Sequence, residues 1–211
     1  MKDVGIVAVD LRPGVLLPSA EPMSQPLEPC AIPDVKIFTA HNFHDERGFL
    51  LQSWVRTDLD VLGIPSEFSQ AIQTYSARGV VRGLHFQWDP PMGKLVRCIR
   101  GAVIDVVVDV RHGSPTRGQH VAVELSGRNH RVIWVPVGFA HGTFALEDDT
   151  IVLYECTAPH GPGREGGILW NDPALGVAWP DIPPIVSEKD KQAPSLATWL
   201  ADPRSRAFRT G

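Results

Sequence analysis

The run Arg82-Gly83-Leu84-His85-Phe86-Gln87, followed by Lys94-Leu95-Val96-Arg97, is the densest cluster of chemistry-bearing residues in the chain. Histidine can accept a proton near neutral pH, arginine can clamp an anion, and lysine can stabilise developing negative charge. On a strand, alternation predicts Arg82 and Leu84 on one face and Gly83, His85 and Gln87 on the other. A lone strand histidine is usually structural; His85 is marked out by its company. A second histidine stands in Gly138-Phe139-Ala140-His141-Gly142 and a tyrosine in Leu153-Tyr154-Glu155. Base, electrophile and proton-donor types on separate segments point to general acid–base chemistry. Metal chemistry needs histidines at i and i+2 with a further carboxylate and histidine. Here Gln87 holds the i+2 position, His41 and His44 are wrongly spaced, and His112, His120 and His130 fall in turns or at strand ends, so no metal site is expected.

The elements that must position these residues read as β. From Gly101, Ala102, Ile104, Val106, Val108 and Val110 fall on one face, with Val103, Asp105, Val107 and Asp109 on the other. Similar segments run at Lys94 to Ile99, His120 to Leu125, Arg131 to Val135 and Ile151 to Cys156, separated by turn residues. Helix is expected only over Thr57 to Leu62 and about Ser195 to Ala201. The 211 residues allow one domain with a full core, and 19 Gly with 19 Pro spread along the chain suit short strands in a sandwich or barrel. Five prolines between Pro13 and Pro29 predict an extended leader over residues 1–30. A compact domain over 31–190 and a tail over 191–211 follow.

Twenty Lys and Arg against 24 Asp and Glu give a net charge of −4, so no global field draws nucleic acid or an anionic membrane. Apolar runs such as Val106 to Val108 fall far short of the roughly 20 residues that span a bilayer. The opening residues do not read as a secretory signal. Three cysteines, Cys30, Cys98 and Cys156, form no CxxC pair, and a cytoplasmic protein is expected.

Over about Ala31 to Asp190 the chain resembles the dTDP-4-dehydrorhamnose 3,5-epimerases and related nucleotide-sugar epimerases. The resemblance rests on ordered motifs: Asp45-Glu46-Arg47-Gly48-Phe49, the Arg82 and Lys94 runs, Asp105 to Arg111, Ser114-Pro115-Thr116, Glu124-Leu125-Ser126, Pro136 to Gly142, Trp170-Asn171-Asp172 and Ser187-Glu188-Lys189-Asp190. It implies a cupin-like jelly-roll barrel, so the expected fold is all-β, with the short C-terminal helical segment and the extended N-terminal arm read above from the residues themselves. It also implies a homodimer acting, without metal or nicotinamide cofactor, on a nucleotide-diphosphate 4-keto-6-deoxy sugar.

By this resemblance His85 is the base and Asp190 its orienting carboxylate, Tyr154 is the proton donor on the opposite face, and Lys94 stabilises the enolate oxygen. The C4 ketone acidifies the hydrogens at C3 and C5; removal of one gives an enolate, and return from the other face inverts the carbon. The resemblance places Arg47 and Arg82 on the phosphates, and Gln52, Gln70, Asp105, His141, His160, Glu165 and Lys189 among the substrate contacts. One of Asp105 and Asp109 is expected to satisfy a buried cation instead.

The chain departs from the family pattern where Gln52 replaces an acidic residue, where Gln70-Ala71-Ile72-Gln73 replaces Gln-Asp-Asn-His, where His160 replaces an aromatic that stacks on the base, and where Glu155 replaces a lysine. The first three are expected in the base-binding region. Catalysis is then expected to be kept while the nucleotide or sugar pattern differs from the thymidine-linked rhamnose precursor. A ketoisomerase of similar fold and a non-catalytic nucleotide-sugar binder are the competing functions. Having both His85 and Tyr154 favours epimerisation over the first, and a base facing an acid argues against the second.

Overall fold

A computed structural model describes residues 27–208; the expected leader lies, over residues 1–26, outside them. The chain runs β1 (Lys36–Thr39), β2 (His41–Asp45), β3 (Gly48–Gln52), α1 (Arg56–Leu62), β4 (Gln70–Ser76), β5 (Val80–Gln87), β6 (Lys94–Arg100), β7 (Ala102–Asp109) and β8 (His120–Ser126). It continues through β9 (Arg131–Val135), β10 (Phe139–Ala145), β11 (Thr150–Cys156), β12 (Glu165–Gly167), β13 (Ile185–Val186), α2 (Glu188–Lys191) and α3 (Leu196–Ala201). One sheet has the order β1-β9-β6-β11-β4; a second has β12-β5-β10-β7-β8, with β13 pairing parallel to β5. The two sheets face one another as a jelly roll, and β2 and β3 form a separate hairpin.

Strand alternation assigns each wall its core. On β7, Val103 and Val107 join Val96, Ile133, Val152 and Leu125 between the sheets. The intervening Val106 and Val108 turn outward and are covered by the C-terminal segment through Leu196, Trp199 and Phe208. The outer face of the other sheet is covered by α1 and its flanks, with Leu59 and Ile64 packed on Phe38, Leu95 and Trp134. Trp199 lies 4.4 Å from Phe86 and 5.8 Å from Trp88, ring centre to ring centre, so the tail braces the outside of β5.

Strict alternation fails at one place that matters. Between β10 and β5, His141 pairs with His85 but Thr143 pairs with Arg82, so β5 takes three steps where β10 takes two. This bulge turns Arg82 onto the face of His85, correcting the expectation that Arg82 shares a face with Leu84. Leu84 packs with Phe86 on the other side. Glycine is needed at the bulge: Gly83 has φ +130°, and a Cβ there would stand 2.5 Å from the Cα of Gly142.

The helical segments over 56–62 and 196–201 fall where expected. The sequence reading omitted α2, which Ser187 caps by accepting the Asp190 N–H.

Candidate active site

A cavity of about 520 Å³ opens between the sheets, in the range of small-molecule sites. His85 and Arg82 enter from β5, His141 from β10, Lys94 from β6, Tyr154 and Cys156 from β11, and Ile72 and Thr74 from β4. Ile185, Val186, Ser187, Lys189 and Asp190 close one side.

His85 is about one-third exposed, and its Nε2 lies 2.6 Å from Oδ1 of the buried Asp190. A carboxylate only accepts, so Nε2 carries the hydrogen and Nδ1 keeps the lone pair. Burial pushes the Asp190 carboxyl up, but hydrogen bonds from His85 and the Gly83 N–H, with Ser187 alongside, outweigh it and hold the group below the ordinary carboxylate value. The result is a histidine fixed in tautomer and direction, suited to taking a proton.

Tyr154 stands on the opposing sheet. Burial pushes its phenol up to about 12, against the opposing pull of the neighbouring Thr143 and Thr74 hydroxyls, so it stays protonated and able to donate. Its ring meets His141 edge-on at 5.9 Å between centres. His141 is bound through Nε2 to Asp105, at 2.9 Å, and both are buried. Burial lowers the Lys94 ammonium, while the charges of Cys156, Asp105 and Glu165 oppose that shift.

Four expected substrate contacts gather at the rim. Glu165 accepts from Lys189 Nζ at 2.6 Å and lies 3.0 Å from His160 Nε2, while Gln70 Oε1 accepts the His160 N–H at 2.8 Å. Burial raises the Glu165 carboxyl, but its bonds with Lys189 and His160 outweigh that and lower it. Arg82 is held by Ser76 Oγ and the Tyr75 carbonyl, each at 3.1 Å. Asp109, the other inward aspartate, satisfies Arg111 at 2.8 Å. Among the described residues, no His, Cys, Asp and Glu side chains form a metal-binding group.

Beyond the rim, Arg47 and Gln52 do not reach the cavity of their own chain, and Asp105 is fully buried and absent from its lining. Arg47 sits in the β2–β3 turn, 85% exposed and paired with Asp45, and Gln52 ends the same hairpin; neither lines the cavity. The hairpin forms its own two-stranded sheet, separate from the two that wall the cavity. Ile72 corrects the expectation that the departures avoid the catalytic core. It pairs with Tyr154 across β4 and β11 and lines the cavity. Glu155, by contrast, is directed away from the cavity, its charge felt by Arg97 on the neighbouring β6. Thr143 and Ser187 were missed. Ser187 had a signal, since a serine before Glu-Lys-Asp is an N-cap pattern; Thr143 had none.

Opposed acid–base groups in a jelly-roll cavity with a half-buried cation define a class of protein built for proton transfer. A family profile described as dTDP-4-dehydrorhamnose 3,5-epimerase matches residues 29–198. The dTDP-4-dehydrorhamnose 3,5-epimerase of Salmonella typhimurium is 47% identical over 169 residues, covering 79% of this chain and 92% of the relative. Among solved structures, the dTDP-6-deoxy-D-glucose-3,5-epimerase of Legionella pneumophila, in complex with dTDP-4-keto-L-rhamnose, superposes with a TM-score of 0.83 at 39% identity, covering 89% of this chain and 99% of that one. A 3'-monoepimerase from Streptomyces bikiniensis, in complex with dTDP-quinovose, gives 0.79 at 32% identity, covering 86% and 92%. The chain belongs to the dTDP-4-dehydrorhamnose 3,5-epimerase family.

Proposed function

We propose that the chain inverts C3, C5 or both of a nucleoside-diphosphate 4-keto-6-deoxyhexose, in deoxysugar or cell-surface polysaccharide synthesis. The observation that carries this is the His85–Asp190 pair facing Tyr154 across one cavity. His85 Nδ1 takes the hydrogen beside the C4 ketone, Lys94 stabilises the enolate oxygen, and Tyr154 returns a proton from the other side. Arg82 holds a phosphate oxygen, and Gln70, His160, Glu165 and Lys189 contact the nucleotide at the rim. His141 contacts the sugar.

The decisive experiment is incubation in heavy water with nucleotide-linked 4-keto-6-deoxyhexoses. Deuterium at C3 and C5 marks a double epimerase, and deuterium at one carbon a monoepimerase. No incorporation with any nucleotide overturns the catalytic assignment and leaves a binding protein. Titration with thymidine, uridine, guanosine and cytidine diphosphates identifies the base, which the departure at His160 bears on directly.

The proposed assembly is a homodimer. The hairpin exposes Phe43, Phe49 and Leu50, and β4 is an unpaired sheet edge beside the cavity. Exposed apolar side chains and an open edge are both costly unless covered. In a dimer, Arg47 would reach the cavity of the second copy. A reducing compartment, the cytoplasm, suits three free thiols.

A further inference from the structure

Asp105 is fully buried, and only one of its oxygens has a partner. Oδ2 lies on His141; Oδ1 is buried with no hydrogen bond. A buried carboxylate with an unmatched oxygen is costly, and a jelly-roll core has no packing need for one. Its neighbours suggest its use. Asp105 lies directly across from Thr143 in the β7–β10 pairing, which puts both side chains on one face. Thr143 is in turn the hydroxyl beside Tyr154, and His141, which holds Oδ2, contacts the Tyr154 ring. Lys94 lines the same cavity from the opposite sheet. Asp105 itself is absent from the cavity lining.

We infer that Asp105 is a positioning residue that touches no reacting atom: it fixes the direction of His141 and supplies one buried negative charge that keeps the Lys94 ammonium charged and the Tyr154 phenol neutral. A carboxylate favours an ammonium and disfavours a phenolate, so a single charge protects both protons. This corrects the expectation of Asp105 as a substrate contact. The groups facing Lys94 are Cys156 on β11, Asp105 on β7 and Glu165 on β12. Those facing Tyr154 are Thr143 on β10, Thr74 on β4, Asp105, and Arg82 on β5, with the His141 ring at its edge. Asp105 is common to both sets. It therefore sets the upper pH limit at which acid and electrophile are both ready, a deepening that rests on the proposed epimerisation.

Asp105→Asn keeps an acceptor for His141 and removes the charge. Only Tyr75 and Tyr154 are tyrosines, so protein labelled with 3-fluorotyrosine gives two fluorine resonances, which Tyr75→Phe assigns. The Tyr154 resonance of the asparagine variant is expected to titrate about one pH unit lower than in the unsubstituted protein. The alkaline limb of deuterium exchange into a thymidine-diphosphate 4-keto-6-deoxyhexose should move down with it. Asp105→Ser also removes the charge and serves the same comparison if the asparagine variant does not fold. A Tyr154 resonance that titrates unchanged overturns the inference, whatever happens to turnover. The fluorine titration needs no substrate, so a failed function assignment and a failed role for Asp105 give different results.

Discussion

At the scale of single residues, the site separates groups that move protons from groups that hold them ready. His85→Asn removes the base while keeping a polar side chain at the cavity wall. Exchange in heavy water should fall by about 10²–10⁴-fold, with nucleotide affinity measured by calorimetry nearly unchanged. Unchanged exchange would remove His85 from the mechanism. Asp190→Asn should also lower turnover, because the amide can present its N–H to Nε2 and so favour the wrong tautomer. Tyr154→Phe should still permit proton abstraction by His85. Deuterium should then wash into substrate with little product epimer, a pattern read by proton NMR.

Among elements, β5 carries the most consequence, because its bulge puts Arg82 and His85 in the same cavity. Gly83→Ala would set a Cβ against the Cα of Gly142 and the carbonyl of His141, at 2.5 and 2.8 Å, in a backbone conformation that disfavours side chains. A loss of about 1–3 kcal/mol is expected from the backbone alone, visible as a lower midpoint in urea, together with reduced exchange. The C-terminal brace makes a second prediction. Trp199→Ala should cost about 3–5 kcal/mol. Trp199→Phe should cost far less, since the indole N–H is buried without a partner and its loss removes an unmet donor. The bulge also shows where the sequence stopped being informative. The alternation of β7 was legible because both its faces are buried in different cores, but nothing in Arg82-Gly83-Leu84-His85 distinguishes a regular strand from one with an extra step. Likewise β12 and β13 are short, and only pairing with β5 makes them strands. The residues of the cavity were legible through motif resemblance, whereas the position of Arg47 depends on how a hairpin leaves the barrel, which local pattern does not encode.

For the whole molecule, acid should be the weak side. Asp109 and Asp190 are both held below the ordinary carboxylate value: burial pushes each up, and hydrogen bonds from Arg111, Ser114 and Thr116 to Asp109, and from His85 and Gly83 to Asp190, outweigh it. A depressed carboxyl contributes stability that is complete above its unfolded value, about 3.9, and is lost as pH falls through the folded value. Circular dichroism melts should therefore hold steady down to roughly pH 5 and decline below about pH 4, and Asp109→Asn should flatten that decline. The proposed dimer is checked by sedimentation: Phe49→Glu with Leu50→Glu should shift the protein to monomer and lower exchange. Mixing Arg47→Ala with His85→Asn protein should then restore part of the activity if the hairpin serves a second copy.

The rim and the proton-transfer groups sit on different kinds of backbone. His85, His141 and Tyr154 lie inside strands paired on both sides, whereas His160 lies in a loop and Gln70, Glu165 and Lys189 stand at or next to the start of their elements. Side chains on loops and ends can be exchanged without resetting a sheet, so substrate choice and reaction type are separately adjustable. A library randomised at Gln70 and His160 can thus search for new nucleotide carriers while the inversion chemistry is inherited intact. Descendants of one barrel can in this way supply different sugars without reinventing the step.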